Sequence, residues 1–205
     1  MGAMGTGKFR LSVDLATHFR GEIINSDKMQ VDKGLEIVTN KITHTEKHGV
    51  LHYLLDPVLM FKYKYESCFI WIDVEQSVLN RRVDKRVDQM VKAGLVDEVR
   101  QIFIPDADYT KGIRRSISIL EMDRYLREET NIDGDDESKQ MILQASISSV
   151  KRNTLMLICS QFDKIQRLIS EKMWSVHNII ATDVFKEDRE EDLDDSRTNI
   201  VLQPA

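Results

Sequence analysis

Residues 2–8 read Gly-Ala-Met-Gly-Thr-Gly-Lys, the GxxxxGK spacing of a loop that cradles a diphosphate. Gly2, Gly5 and Gly7 permit the turns that aim successive backbone N–H groups at one anion. Ala3, Met4 and Thr6 supply the amides between them, and Lys8 adds the compensating charge. The position after the lysine ordinarily carries a hydroxyl that ligates Mg²⁺. Here it is Phe9, a ring without a donor atom. Thr6 then remains as the hydroxyl able to reach a phosphate or a metal, and weakened Mg²⁺ binding is expected.

Two further groups carry candidate chemistry. Arg114 and Arg115 are adjacent guanidinium forks, a planar shape that suits phosphate oxygens, although Glu121 and Asp123 nearby offer the alternative of surface ion pairs. His44, His48 and His52 recur at every fourth position, which on a helix suits a metal, but Gly49 interrupts any helix there. Cys68 and Cys159 stand in no CxxC or zinc spacing, so free thiols in a reducing compartment are expected.

The elements that must position these residues follow from periodicity. A helix is predicted over 8–19, with Leu11, Leu15 and Phe19 as its apolar stripe and Gly21 as its stop. A short strand over 22–26 comes next, giving the loop, helix, strand order expected after a phosphate loop. Cys68–Val74 reads as a second buried strand. The following helix carries Leu79, Val83, Val87, Met90 and Val91 as a core stripe and stops at Gly94. Helices are predicted over 95–104 and 119–129, one long helix or two in tandem over 138–174, and a last strand over 176–184.

The fold class expected is α/β: a parallel sheet of the P-loop type with a mostly helical C-terminal half. The sheet reads as incomplete, lacking its first strand, since the loop opens the chain, and one middle strand. The expected organisation is an α/β core over 1–74, a helical region over 75–185 and an acidic tail over 186–205. Lys186–Asp195 holds seven acidic and two basic residues and so accounts for the whole net charge of −5. The remainder is balanced, which gives no broad basic face for long nucleic acid. With 41% hydrophobic and 31% charged residues and no apolar run of membrane-spanning length, a water-soluble protein with no membrane partner is expected. The location expected for the sequence as written is cytoplasmic, or plastid or mitochondrion if a targeting segment belongs ahead of it.

Several stretches together resemble the plant-type adenylate isopentenyltransferases, relatives of the tRNA dimethylallyltransferases. They are GAMGTGK, LSVDLATHF, GEIINSDKMQV, KGLEIVTNKIT, GVLHYLL, VDQMVKAGLVDEVR, DYTKGIRRSISILEMDRY and the Lys-x-Asn-Thr run at Lys151, in family order from Gly2 to about Phe185. Departures accompany them. The family has Ser or Thr at Phe9, usually Tyr at Asp32 and Gly at Ser118, and a Pro and a second His at Leu51 and Tyr53. It also carries several tens more residues where this chain has only Asp56–Glu66.

The resemblance implies transfer of a dimethylallyl group from dimethylallyl diphosphate to N6 of an adenine nucleotide (AMP, ADP or ATP), the reaction of cytokinin synthesis, with Mg²⁺ as cofactor. It places the diphosphate on Gly2–Lys8, with Lys8 stabilising the leaving charge, and assigns Asp27 as the base that takes the N6 proton. An aspartate after a strand also suits a helix N-cap. Thr39 and Lys41 match a nucleotide- or diphosphate-contacting segment; a solvated strand end is the plainer reading. Two alternatives stay open: a catalytically impaired relative acting at most as a binding protein, and an enzyme of tRNA, which the charge balance disfavours.

Overall fold

The computed structural model describes residues 1–25, 27, 35–54, 68–129, 135–172 and 176–186. The Asp56–Glu66 junction and the tail after Lys186 lie outside them, as does Asp32. In chain order the elements are α1 (Lys8–Phe19), β1 (Ile23–Asn25), β2 (His52–Leu54), β3 (Phe69–Asp73), α2 (Gln76–Lys92), α3 (Leu95–Ile102), α4 (Ile119–Glu129), α5 (Asp136–Lys172) and β4 (Val176–Ile180). The chain forms two compact units: residues 1–26, 42–82 and 157–205 make one, and 27–41 with 83–156 make the other. Helices α2 and α5 each contribute to both.

The first unit holds the strands. β1 pairs in parallel with β2, Ile23 opposite His52, and β3 pairs in parallel with β4, Phe69 opposite Val176. The parallel pairing expected is present, as two two-stranded sheets rather than one among the described residues. Ahead of the glycine loop, the Met1 amine donates to the Ile70 carbonyl and the Ile72 N–H donates to the Met1 carbonyl (2.9 Å), the bonding pattern of a parallel bridge along β3. Buried Ile72, Val74, Leu79, Ile158 and Ile179 form the apolar interior of this unit.

Helix α1 departs from its predicted stripe. Burial falls on Leu11, Val13 and Ala16, within the first turns, while Phe19 is 71% exposed with its ring edge-on to His18. Arg20, not Gly21, takes the left-handed position that closes the helix, and the Gly21 N–H donates to the Ala16 carbonyl at 2.7 Å.

The second unit is helical, with α4 packed on α3 and on the 3-10 turn Gly112–Arg115. Its interior includes Val83, Val87, Leu95, Val99, Met122 and Leu126. Leu79, Val83 and Val87 are buried as the stripe read for α2 expects, while Met90 and Val91 are half-buried. Gly94 (φ 103°) both follows α2 and precedes α3, a left-handed corner that a side chain would strain. Ser118 and Glu121 form half of a capping box at the start of α4: the Ser118 N–H donates to Glu121 Oε2 at 2.7 Å. The other Glu121 oxygen accepts from Asn153 Nδ2 at 2.7 Å, and Lys151 pairs with Asp88 at 2.7 Å. The Lys-x-Asn-Thr run thus ties α5 to α4 and α2. Asp135 caps α5 by accepting the Ser138 N–H, and α5 runs as one helix rather than two.

Candidate active site

In the first unit the glycine loop is built between β3 and α1. Gly5 (φ 86°) and Gly7 (φ 75°) take left-handed backbone. At Gly7 a Cβ would also meet the Phe185 ring at 3.2 Å, so a side chain there would strain the backbone and press on the ring. Thr6 is 1% exposed and its hydroxyl donates to the Ala3 carbonyl at 2.9 Å. Lys8 Nζ donates to the same carbonyl at 2.7 Å. The Met4 N–H donates to Gln161 Oε1 at 2.7 Å. The Lys8 cation thus donates to a carbonyl of its own loop, and the Met4 amide is held by the Gln161 side chain.

Arg82, which sequence reading passed over as part of a core helix, also belongs to this loop. Its Nε donates to the Gly5 carbonyl at 3.0 Å, and its guanidinium lies 4.3 Å above the centre of the Phe185 ring. Neither contact is visible in the sequence, because 77 residues separate Arg82 from Gly5.

Phe9 stacks on His52 with ring centres 5.5 Å apart and planes 4° from parallel. His52 Nδ1 lies 2.8 Å from the Val50 carbonyl. A carbonyl only accepts, so the proton is assigned to Nδ1, leaving Nε2 as a buried acceptor without a partner. The residues here do not make a Mg²⁺ site of their own. The Thr6 hydroxyl is turned inward on Ala3, Phe9 offers nothing to a cation, and the described residues contain no cluster of three His, Cys, Asp or Glu able to hold a metal.

The remaining predicted residues fall in the second unit. Asp27 is exposed, two residues past β1. Thr39 and Lys41 sit in a tight turn, not at a strand end. The Thr39 N–H and hydroxyl both donate to the Leu35 carbonyl (3.0 and 2.7 Å), and the Lys41 N–H donates to the Glu36 carbonyl at 2.9 Å. Glu98 of α3 holds this turn from outside: its two oxygens accept the N–H groups of Ile37 (3.1 Å) and Val38 (2.7 Å). Glu98 was missed in the sequence, where it reads as an ordinary surface glutamate.

Arg114 is half-buried and Arg115 exposed. Their expected alternative partners are taken: Glu121 by Ser118 and Asn153, Asp123 by Arg127 (2.8 Å). Beside them, burial raises the pKa of the Tyr109 hydroxyl, with the Asp123 charge adding to it and the Arg127 and Arg114 charges opposing. Farther along, Arg100 pairs with Glu129 (2.7 Å) and with Asp97; its hydrogen bond holds Glu129 below the usual carboxylate range against the cost of burial.

A glycine loop of GxxxxGK form opening a helix, preceded by backbone bonded along a parallel strand, places the chain among α/β proteins of the P-loop type. Residues 59–163 match the family described as IPP transferase. Over its whole length the chain is 40% identical to adenylate isopentenyltransferase 5, chloroplastic, of Arabidopsis thaliana, covering 76% of that protein. It is 39% identical to adenylate isopentenyltransferase 7, mitochondrial, of the same plant, again covering 76%. Against the adenylate isopentenyltransferase of Humulus lupulus it is 30% identical over its whole length and covers 86%. The chain belongs to the IPP transferase family. The first of these alignments runs over 253 positions against 205 residues here, so the relative carries several tens of residues without counterpart.

Among solved structures the fold is similar to that of a eukaryotic dimethylallyltransferase acting on tRNA (TM-score 0.73, 17% identity, 98% of this chain and 75% of that one). It is also similar to the tRNA isopentenylpyrophosphate transferase of Bacillus halodurans (TM-score 0.65, 19% identity, 99% and 94%).

Proposed function

We propose that the chain transfers a dimethylallyl group from dimethylallyl diphosphate to N6 of AMP, ADP or ATP, a step of cytokinin biosynthesis. The N6 lone pair attacks C1 of the allyl group, the C1–O bond breaks, and the diphosphate leaves with the electron pair. Lys8 exchanges its bond to the Ala3 carbonyl for a diphosphate oxygen, and the loop amides stabilise the growing charge at the α1 N-terminus. Asp27 accepts the N6 proton, assistance worth about 10²–10⁴-fold. A Mg²⁺ ion, when bound, would supply charge balance for the diphosphate, and Phe9 would contribute no ligand to it.

The observation that carries this reading is similarity to adenylate isopentenyltransferases over the whole of this chain joined to a complete Gly2–Lys8 loop. Free nucleotide is preferred over tRNA as acceptor because the net charge is −5 and all of it lies in one tail. The relatives named chloroplastic and mitochondrial favour an organelle. Among the described residues no helix is long and apolar enough to cross a membrane.

The test incubates purified protein with dimethylallyl diphosphate and each of AMP, ADP, ATP and tRNA, and reads the N6-prenylated product by mass. Product from a free nucleotide, lost about 10²–10⁴-fold in Asp27→Ala, is the expected result. Undiminished turnover in that variant removes the base from the scheme. A second reading, an impaired family member that binds without turning over, is favoured by Phe9 and by the residues this chain lacks relative to its kin; binding of dimethylallyl diphosphate with no product from any acceptor selects it.

A further inference from the structure

Helix α1 begins without the acceptor that helices usually carry at that end. Gly7 at its N-cap makes no side-chain cap bond, and its first turn holds no acidic residue. The other helices are better supplied: Asp97 and Glu98 stand in the first turn of α3, and Asp136 and Glu137 in that of α5. The positive end of α1 is therefore left to an anion from outside the helix. Cations gather round it. Lys8 opens the helix, and the Arg82 guanidinium is bonded to the Gly5 carbonyl. Burial, and after it the Lys8 charge, lower the pKa of the Met1 amine, a further positive group beside the same lysine.

The chain itself brings anions back to this place. After β4 the 3-10 turn Asp183–Phe185 sets the Phe185 ring against the loop, 3.2 Å from where a Cβ on Gly7 would stand and beneath the Arg82 guanidinium. Lys186 follows and pairs with Asp183 at 2.9 Å. That hydrogen bond, and less strongly the Glu75 charge, raise its pKa. Both of these acids are engaged, Asp183 by Lys186 and Glu75 by the Ser77 hydroxyl. The next residues in the chain are Glu187, Asp188, Glu190, Glu191, Asp192, Asp194 and Asp195, with Arg189 as the single base among them. A residue spans at most about 3.6 Å, so residues 187–191 all lie within about 18 Å of Lys186. A tether this short holds carboxylates beside the loop at an effective concentration on the order of millimolar.

We propose that in the ligand-free protein the acidic stretch 187–195 occupies the glycine loop, its carboxylates accepting from the amides at the α1 N-terminus and from Lys8. The tail is then a tethered competitor that a diphosphate has to displace. Diphosphate is the displacing ligand within the proposed reaction, on which that choice rests. A carboxylate is an oxyanion acceptor as a phosphoryl group is, but it carries one charge where a diphosphate carries several, so it yields. With carboxylate contacts of about millimolar strength, a tethered concentration of a few millimolar weakens diphosphate binding by about three- to tenfold.

The experiment compares the full native chain with a full-length variant carrying Glu187→Gln, Asp188→Asn, Glu190→Gln, Glu191→Gln, Asp192→Asn, Asp194→Asn and Asp195→Asn. Inorganic pyrophosphate is titrated into each by calorimetry at about 0.05 and about 0.5 M salt, and the backbone amide resonances of Gly5, Gly7 and Lys8 are recorded without ligand. The variant should bind pyrophosphate about three- to tenfold more tightly at low salt, with the gap closing at high salt as screening grows. The three loop amides should shift between the two proteins, and a peptide of residues 186–195 added to the variant should shift them back. Pyrophosphate affinities within twofold of each other at low salt overturn the inference. Tighter binding with unmoved loop amides overturns it as well, because the tail then acts through overall charge and not from the loop. Pyrophosphate that binds neither protein defeats the diphosphate reading, and the amides then decide alone: shifts reversed by the peptide support a tail on the loop, and unmoved amides refute it. Should the variant melt without cooperativity, a full-length chain with only Glu187→Gln, Asp188→Asn, Glu190→Gln and Glu191→Gln takes its place under the same criteria.

Discussion

Glu98 offers the sharpest test of how this chain holds its candidate site together. Its carboxylate accepts two backbone N–H groups, Ile37 at 3.1 Å and Val38 at 2.7 Å, across some sixty residues of chain. In Glu98→Ala both amides lose a charged acceptor. Hydrogen bonds to charged groups contribute about 1.5–3 kcal/mol each. Glu98 is only half-buried, and water can replace part of what is lost, so about 2–4 kcal/mol for the pair is the expected cost to the turn. Glu98→Gln keeps one acceptor and opposes its own NH₂ to the second amide, so it should lose at least half of that. The assay is amide hydrogen exchange at Ile37 and Val38 together with urea unfolding. Exchange at those two amides should quicken by about 30-fold or more in Glu98→Ala, since each 1.4 kcal/mol is a factor of ten. The Thr39 N–H, which donates to Leu35 within the turn, should follow if the turn opens as a unit. Exchange at Ile37 and Val38 equal to that of the native protein would refute the clamp, whatever happens to global stability.

Ser118→Gly relieves a buried serine at φ 97°: about 1–2 kcal/mol of backbone strain is released against about 0.5–1 kcal/mol of added unfolded-state entropy. The melting temperature should rise by about 1–4 °C, and a fall would show that the serine side chain matters more than its backbone. For acid stability, Glu129 is held below its ordinary pKa by Arg100, so its contribution is whole above the usual carboxylate range and is lost as pH falls beneath it. Because the pair is partly exposed, only about 0.5–1 kcal/mol is involved, and the urea midpoints of native protein and Glu129→Gln should differ at pH 7 and converge as pH falls through the lowered carboxylate pKa. A gap that persists in acid would assign the effect to packing.

The local structure was legible because short-range rules govern it. The helix opened by Lys8, the β3 run Phe-Ile-Trp-Ile-Asp, the valine stripe of α2 and the extent of α4 were all fixed by periodicity and β-propensity, which act within a few residues. The limits of the same rules appear at α1, where Phe19 completes the apolar spacing yet lies in solvent, because periodicity marks a face without saying how far along the helix that face is covered. The cap at Ser118 was available as a Ser-x-x-Glu signal, but its left-handed backbone was not.

By itself the sequence determined the family and the place of the GxxxxGK loop, since both reside in contiguous residues whose order survives without coordinates. Only the tertiary structure decided that Lys8 and Thr6 share the Ala3 carbonyl, that Gln161 and Arg82 finish the loop, and that Glu98 clamps the Thr39 turn. It alone left Arg114 and Ser116 with bonds unmade. Hydrogen-bond satisfaction is a property of where distant segments meet, and a one-dimensional pattern carries no record of which donor has found an acceptor.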